Sequence, residues 1–312
     1  MMGNKVCRLV CWLLAFVFLP IGVFARTRPK VALVLGGGGA KGAAEVGVLK
    51  EIERSGVPID YIVGTSIGSI VGGLYSIGYR SQEMDSLFCT QNWLQLIGDI
   101  YSSNYKQAEY VRGFGLVKGS AVMGLLESLV AKQLGKKRNL DSLDFNTLPI
   151  PFRAVAADVV RGKAVALSYG NMALAMRASM AIPGLFKPVK VDSLILLDGG
   201  LVNNLPVDVA RSMGADYVIA IDLTQNKHPD FKPKKIRKNM PRGMMWLRSR
   251  PDFVNYNRNR QDCDVYINPT LEGYGVTSFK KKAIRAMIDI GERAGKEKRK
   301  ELEKLRKKVV GK

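Results

Sequence analysis

Short apolar runs alternate with amphipathic segments along the first two thirds of the chain. Val31–Leu35 is a continuous apolar run rich in β-branched residues, which predicts a strand buried on both faces. Residues 43–54 have apolar positions at helical spacing, and Glu45, Lys50 and Glu51 lie on other helix faces. Residues 61–63 and 67–77 repeat the order of strand and helix. This pattern predicts a βαβα unit with a parallel sheet.

The same alternation continues to Leu223. It predicts four further helices, at 81–92, 120–134, 171–179 and 206–213, and four further strands, at 152–157, 164–167, 194–197 and 217–221. Residues 97–118 interleave aromatic residues and glycines and predict an irregular loop, a kind of segment that often covers or lines a binding site. After Leu223 the chain is basic and dotted with prolines, and 280–308 predict one long charged helix. We therefore expect an α/β domain over 26–225 and a basic C-terminal extension over 226–312.

The first 25 residues have a different pattern. Lys5 and Arg8 precede an apolar stretch at 9–23, and Val23-Phe24-Ala25 forms a cleavage site, so residues 1–25 predict a signal peptide. The alternative is an uncleaved membrane anchor, which the pattern disfavours because the run is shorter than the roughly 20 residues that span a bilayer. An exported protein is expected, whether periplasmic, secreted or associated with the outer membrane.

The net charge of +21 is concentrated in the last third of the 312-residue chain. Residues 227–260 and the tail from Lys280 onward are dense in lysine and arginine. Such surfaces attract phosphate groups on anionic lipid or on nucleic acid. For an exported protein we expect peripheral contact with an anionic membrane surface and no nucleic-acid partner, while an ordinary solvated face is an equal alternative.

Few residues of the mature chain are suited to binding a metal ion. Cys89 and Cys263 are far apart in sequence, and they are either two buried thiols or one disulfide. His228 is the only histidine, and it lies beside Pro229 in the basic segment, which favours a surface position. These residues predict no metal site and no cofactor.

Gly64-Thr65-Ser66-Ile67-Gly68 fits the G-x-S-x-G nucleophile elbow, in which a strand turns sharply into a helix and exposes the serine. The predicted strand at 61–63 and helix at 67–77 supply that context. An isolated match of this kind is more often an ordinary turn. The interpretation of Ser66 as a nucleophile therefore depends on its partners.

A serine nucleophile needs a base, and the position of His228 disfavours a Ser-His-Asp triad. A carboxylate is then required. Asp158, Asp198 and Asp222 each end a predicted strand, and Asp198 is the best candidate because Gly199-Gly200 leave backbone room around it. Leu223 and Thr224 follow Asp222, which favours a cap or turn role for that residue.

Four consecutive glycines, Gly36 to Gly39, follow the first predicted strand and precede a helix. Their N–H groups can converge on an oxyanion at the helix N-terminus, and Lys41 can add a positive charge or remain solvated. Phosphate binding is the competing interpretation. It is weaker, because the loop fits neither the P-loop spacing nor G-x-G-x-x-G.

Four segments now carry a resemblance. Gly37 to Gly42, Gly64 to Gly68, Ala178 to Pro183 and Asp198 to Gly200 have the order and spacing found in the patatin-like phospholipases. The chain resembles this family over about 30–223, and most of all its exported bacterial members. The resemblance implies a three-layer α/β/α fold with a central, mostly parallel sheet.

The resemblance also implies roles for residues of the site. It implies a dyad of Ser66 as nucleophile and Asp198 as base, and an oxyanion hole lined by Gly37, Gly38 and Gly39. The segment ending at Pro183 is expected to shape the site, with Lys41 and Pro183 as lining residues.

The expected activity is that of a lipid acyl hydrolase of the phospholipase A type, cleaving carboxyl esters of phospholipids or other lipid esters through an acyl-serine intermediate. Two alternatives stay open. One is a general esterase, thioesterase or acyltransferase that uses the same dyad. The other is an inactive module that binds membranes or nucleic acid through the basic tail.

Overall fold

A computed structural model describes residues 28–98, 109–110, 117–135, 139–224 and 253–311 of the chain. The predicted signal peptide, His228, most of the predicted loop at 97–118 and the basic residues 225–252 lie outside the described residues.

The centre of the molecule is a mixed sheet. Its strands are β1 Val31–Leu35, β2 Tyr61–Thr65, β3 Glu109–Tyr110, β5 Phe152–Asp158, β6 Lys163–Leu167, β8 Val189–Val191, β9 Leu194–Asp198, β10 Tyr217–Ile221 and β11 Val265–Ile267, while β4 Leu143–Asp144 and β7 Tyr169–Gly170 form a separate pair. The order is β11-β10-β1-β2-β5-β9-β8-β3, with β6 also paired to β5. The first five strands in this order are parallel, and β6, β8 and β9 run antiparallel to their neighbours. The mostly parallel sheet expected from the sequence is confirmed.

Helices cover both faces of the sheet. They are α1 Ala43–Ser55, α2 Ile67–Ser76, α3 Ser81–Thr90, α4 Trp93–Ile97, α5 Ser120–Leu134, α6 Met172–Ser179, α7 Val207–Ser212, α8 Phe253–Gln261, α9 Lys281–Glu297 and α10 Arg299–Val310. Helices α7 and α8 enclose a core with one face of the sheet, and α1, α2, α5, α6, α9 and α10 contribute to the larger core on the other. The fold is therefore the three-layer α/β/α sandwich. Every residue of β1 is buried on both faces, as its unbroken apolar run predicted.

Strand β5 brings two chain segments to one point. Its residues 154–158 pair with β6 along one edge, so β2 and β9 must share the opposite edge. On that edge β2 ends with Thr65 opposite Val155, and β9 arrives from the other direction and ends with Asp198 opposite Ala156. The two strands consequently meet end to end, although 132 residues separate Ser66 from Asp198 in sequence.

The described part of the predicted C-terminal extension packs on the domain. Strand β11 continues the sheet beside β10, and helix α9 lies against α1. The charged segment at 280–308 is not one helix: Lys298 separates the end of α9 from the start of α10. Glu45 and Glu51 of α1 are both buried. Helices α9 and α10 cover Glu51, whose carboxylate accepts hydrogen bonds from Arg299, whereas Glu45 lies close to Gly36 and Asp222, beyond the carboxyl ends of β1 and β10.

Among the described residues, no helix combines the length and the apolar character needed to cross a membrane.

Candidate active site

Ser66 lies in a strained turn between β2 and α2. Its backbone has φ 56° and ψ −125°, a conformation that a residue with a side chain rarely adopts. A Cβ at Gly64 would lie 2.3 Å from the carbonyl oxygen of Gly68, and one at Gly68 would lie 2.4 Å from that of Leu35. Only glycine fits at both flanks, which is the physical reason for the Gly-x-Ser-x-Gly spacing.

The Ser66 hydroxyl donates a hydrogen bond to Asp198. The distance from Ser66 Oγ to Asp198 Oδ2 is 2.6 Å, and both side chains are buried. The second carboxylate oxygen, Oδ1, accepts the Gly200 amide at 2.8 Å, so Gly199-Gly200 fold a tight turn around Asp198. Serine and carboxylate are thus held in the contact that proton transfer requires.

The surroundings make Asp198 a stronger base than an ordinary aspartate. Burial raises the pKa of its carboxyl to about 6, against the opposing effect of the hydrogen bonds from Ser66 and the Gly200 amide. A carboxylate with this pKa is still mostly ionised at pH 7, and it accepts a proton more readily than a solvent-exposed one.

Ser179, at the end of α6, is hydrogen-bonded to the elbow. Its Oγ accepts the backbone N–H of Ser66 at 2.9 Å and donates to the carbonyl oxygen of Val155 at 2.5 Å. Two residues further on, the carbonyl oxygen of Ala181 accepts the amide of Asp198 at 3.0 Å. The segment Ala178 to Pro183 therefore contacts both members of the Ser66–Asp198 pair. The sequence motif indicated a shaping role for this segment but not these hydrogen bonds.

The four-glycine loop passes beside Ser66. The Gly36 amide donates to the backbone carbonyl oxygen of Ile221, and the Gly37 amide donates to that of Asn204. Neither amide is therefore directed at the serine. Within the described residues, the amides of Gly38 and Gly39 make no hydrogen bond. Gly37, Gly38 and Gly39 all line the polar cavity beside Ser66, and of their amides those of Gly38 and Gly39 are the candidate donors to an oxyanion.

Two cavities meet at Ser66. The first, of about 220 Å³, is polar: Asp198, the glycine loop, Lys41 and Asn204 line it. Lys41 is anchored there, since its Nζ donates to the carbonyl oxygen of Leu223 at 2.9 Å. The polar cavity has room for the reacting group of a substrate and little more.

The second cavity, of about 570 Å³, is apolar. It extends from Ser66 between α2, α4 and α5, and its lining residues include Ile70, Trp93, Leu94, Val122, Met180, Pro183, Phe186, Val276 and Phe279. The predicted lining residue Pro183 is among them. The site therefore joins a polar reaction centre to a long apolar pocket, an arrangement suited to an acyl ester.

The other candidate residues have structural roles. Asp158 accepts the amide of Val160 and the guanidinium of Arg161, which closes the turn between β5 and β6. Asp222 accepts the amide of Thr224, and the hydroxyls of Tyr256 and Tyr266 donate to its other oxygen. The predicted turn role of Asp222 is confirmed.

Cys89 and Cys263 are free thiols, on opposite sides of the sheet. Of the two alternatives, two separate cysteines is the one observed. Across the described residues, no group of three histidine, cysteine, aspartate or glutamate side chains is arranged to bind a metal ion.

This geometry agrees with the comparison of the chain with known proteins. Residues 33–211, more than half of the chain, match the family model described as patatin-like phospholipase. The chain belongs to the patatin-like phospholipase family. The matched region contains Ser66, Asp198, the glycine loop and the Ala178 to Pro183 segment, and it ends before the C-terminal helices.

Individual relatives extend this result. Patatin-like phospholipase domain-containing protein 7 of Mus musculus is 33% identical over 205 residues, which are 64% of this chain and 14% of the relative. An NTE family protein of Mycobacterium bovis is 32% identical over 203 residues, which are 64% of this chain and 51% of the relative. The chain thus spans about half, or much less, of these relatives.

The fold is also found in a solved structure. VipD from Legionella pneumophila superposes with a TM-score of 0.57 at 13% identity, covering 88% of this chain and 67% of VipD. At this identity the likeness concerns the fold alone.

Proposed function

We propose that the protein is a lipid acyl hydrolase of the phospholipase A type, with Ser66 as nucleophile and Asp198 as its base. The observation that carries the proposal is the 2.6 Å hydrogen bond between Ser66 Oγ and a buried carboxylate, at the junction of a polar and an apolar cavity. Membership of the patatin-like phospholipase family supports the same class of substrate.

The reaction proceeds in two balanced halves. Ser66 Oγ attacks the ester carbonyl carbon while its proton passes to Asp198, and the ester C–O bond then breaks as Asp198 returns that proton to the leaving alcohol. Water attacks the acyl-Ser66 ester in the same way, giving its proton to Asp198. The fatty acid leaves, the proton returns to Ser66, and the free enzyme is restored.

Each half passes through a tetrahedral oxyanion that needs hydrogen-bond donors. We assign this role to the amides of Gly38 and Gly39. Both glycines lie next to Ser66, and within the described residues their amides make no hydrogen bond. The N-terminal end of the helix that follows the loop adds a favourable dipole.

Substrates with long acyl chains suit the site best. The apolar cavity of about 570 Å³ offers the chain a lining of aliphatic and aromatic side chains, whereas the polar cavity of about 220 Å³ is large enough for little more than the ester. Phospholipid is the proposed substrate, and other lipid esters are the nearest alternative.

Fatty-acid release from phospholipid vesicles tests the dyad. Ser66→Ala and Asp198→Asn should each lower the rate by on the order of 10³-fold or more. Two matched controls should keep wild-type rates: Ser76→Ala, a buried serine on α2 that donates to a backbone carbonyl, and Asp158→Asn, an aspartate that ends the neighbouring strand. Wild-type rates in Ser66→Ala or Asp198→Asn would refute the dyad.

Two further measurements separate the alternatives. Faster cleavage of short soluble esters than of vesicle phospholipid would favour a general esterase or thioesterase. If a fluorophosphonate probe fails to label Ser66 while the protein binds vesicles, the chain is an inactive binding module.

We also propose that an anionic membrane is contacted at the mouth of the apolar cavity. Leu94 and Val276 line that cavity and are 54% and 50% exposed, and the exposed residues Lys280 to Lys282 follow directly. The lysines of α10 lie elsewhere: Lys308 Nζ is 5.6 Å from the ring of Tyr217, at the start of β10 and so at the opposite end of the sheet. A membrane from which lipid enters the cavity would therefore contact Lys280 to Lys282.

Two triple variants of equal charge test this orientation. Changing Lys280, Lys281 and Lys282 to Gln should weaken binding to phosphatidylglycerol vesicles by about 100-fold, at about 1 kcal/mol for each lysine. Changing Lys300, Lys304 and Lys307 of α10 to Gln should have little effect. Equal losses in the two variants would contradict the proposed orientation.

Export stays a prediction from residues 1–25. Amino-terminal sequencing of the protein recovered from the periplasm or medium should find a chain that begins at Arg26, and recovery of the intact amino terminus in the cytoplasm would refute it.

A further inference from the structure

Asn204 lies beside the reaction centre. It is buried, it lines the polar cavity, and its side chain lies between the glycine loop and the turn that follows Asp198. A Cβ at Gly37 would be 2.4 Å from Asn204 Oδ1, and a Cβ at Gly200 would be 2.6 Å from it. Both glycines therefore leave room for this asparagine.

Asn204 holds Gly37 from both sides. Its backbone carbonyl accepts the Gly37 amide at 3.3 Å, and its side-chain Nδ2 donates to the Gly37 carbonyl oxygen at 3.3 Å. The same Nδ2 also donates to Thr224 Oγ1 at 3.4 Å, which anchors the side chain at the end of β10.

The planarity of the peptide bond carries this contact to the next residue. The carbonyl of Gly37 and the N–H of Gly38 belong to one rigid, trans peptide unit, in which the two groups point in opposite directions. A donor that fixes the Gly37 oxygen therefore also fixes the direction of the Gly38 N–H. In a glycine loop no side chain would otherwise restrict this rotation.

We propose that Asn204 is a positioning residue that orients the Gly38 amide as an oxyanion donor. The inference rests on the proposed hydrolase activity of Ser66. Oxyanion donors act by being oriented before charge develops, so the loss of Asn204 Nδ2 reduces transition-state stabilisation while leaving the acyl pocket unchanged.

Two variants at one position test the role. Asn204→Ala removes the side-chain amide, and Asn204→Leu removes the donor while keeping a side chain of similar shape, in case Asn204→Ala folds poorly. In each, kcat for an ester should fall by about 10- to 100-fold with KM within about twofold of wild type, because removing one oxyanion donor outright costs about 10²- to 10³-fold.

The neighbouring Asn203 is the matched control. It is also buried, but it donates to Asp208 and accepts from Asn259, on the other side of the sheet. Asn203→Ala should lower the melting temperature at least as much as Asn204→Ala and keep the wild-type kcat.

A paired substrate separates positioning from general damage. Sulfur accepts hydrogen bonds weakly, so a thionoester gains less than the matching oxoester from an oxyanion hole. The ratio of kcat/KM for oxoester over thionoester should fall by about 10-fold or more in Asn204→Ala and Asn204→Leu, and it should stay at the wild-type value in Asn203→Ala.

Two failures are distinguishable. If the wild-type protein hydrolyses esters through Ser66 and the ratio is unchanged in both Asn204 variants, the role of Asn204 is refuted alone. If the wild-type protein neither cleaves esters nor reacts with a fluorophosphonate at Ser66, the proposed function itself is refuted.

Discussion

Two tightly packed regions of the molecule use close backbone approach for opposite purposes. At the elbow, glycines on either side of Ser66 allow a turn in which the serine has a strained φ of 56°. Where α1 crosses α9, Gly47 and Gly291 allow two helix backbones to touch, and no residue described at that crossing has a positive φ. The first region holds a reactive group, and the second holds the fold together.

The two regions also differ in the pKa of a buried carboxyl group. At the crossing, burial would raise the pKa of Glu51, but hydrogen bonds from Arg299 and Arg54 outweigh it and hold the pKa below its ordinary value. At the elbow Asp198 has no cation within hydrogen-bonding distance among the described residues, and burial raises its pKa to about 6. Of these two carboxyl groups, the one beside the strained turn has its pKa raised by burial, and the one at the helix crossing is neutralised by two arginines.

The largest expected effect separates activity from stability at Ser66. Ser66→Gly and Ser66→Ala both remove the nucleophile and should each lower the rate of ester cleavage by on the order of 10³-fold or more. They differ only in the Cβ. Because the strain at φ 56° falls on a residue with a side chain, Ser66→Gly should be more stable than Ser66→Ala by about 1 to 2 kcal/mol in urea denaturation.

This order reverses the usual one, in which glycine is less stable than alanine by roughly 0.5 to 1 kcal/mol. If Ser66→Ala is the more stable variant, the elbow is not strained in solution.

The second effect is on stability without a change in chemistry. A Cβ at Gly291 would lie 1.9 Å from the carbonyl oxygen of Ala44, so Gly291→Ala should lower the free energy of unfolding by about 4 kcal/mol as α9 is pushed off α1. The specific activity of the folded fraction should stay at the wild-type value, because neither Gly291 nor Ala44 lines the polar or the apolar cavity.

Gly124→Ala on α5 is the control for this variant. No atom lies within 4 Å of a Cβ built there, so the substitution should stabilise the helix by up to about 1 kcal/mol. Chemical denaturation measures the free energy of unfolding of Gly291→Ala and of Gly124→Ala. A Gly291→Ala protein as stable as wild type would show that the helices do not touch as described.

These two regions also differ in how far the sequence predicts them. The elbow, the strand that ends at Asp198 and the glycine loop have local signatures, because strand, turn and helix signals lie within a few residues of each other. The residues alone favour Asp198 over Asp158 and Asp222 as the partner of Ser66, and the family resemblance then implies the dyad. The physical cause of their meeting is that β2 and β9 end at the same edge of β5, and antiparallel pairing of β9 is not encoded in its short apolar run.

The packing of α9 and α10 on α1 could not be predicted from local patterns. Glu51 is a polar residue on a helix with an apolar face, which indicates exposure until α9 and α10, more than 200 residues later, are placed over it. The hydrogen bond from the Gly37 amide to the carbonyl oxygen of Asn204 could not be predicted from local patterns either. Four glycines in a row offer equivalent donors in sequence, and only the tertiary contact distinguishes Gly37 from Gly38 and Gly39.

The smallest expected effect is the pH dependence of Asp198. Its pKa of about 6 lies above the ordinary 3.8, so its ionisation weakens the folded state as pH rises through about 6, and the full stability is present only below about pH 4. Asp198→Asn does not ionise. Its stability relative to wild type should therefore increase by roughly 3 kcal/mol between pH 4 and pH 8, at about 1.4 kcal/mol for each pKa unit.

Catalysis should follow the opposite trend, because only ionised Asp198 accepts the seryl proton: kcat/KM of the wild type should fall as pH drops below about 6. Asp158 provides a control of opposite sign, since hydrogen bonding from Arg161 lowers its pKa. Asp158→Asn should thus be less stable than wild type at neutral pH, and this difference should disappear in acid. If the stability of Asp198→Asn relative to wild type instead falls at neutral pH and recovers in acid, burial does not raise the pKa of Asp198. The contrast between the two regions would then be wrong.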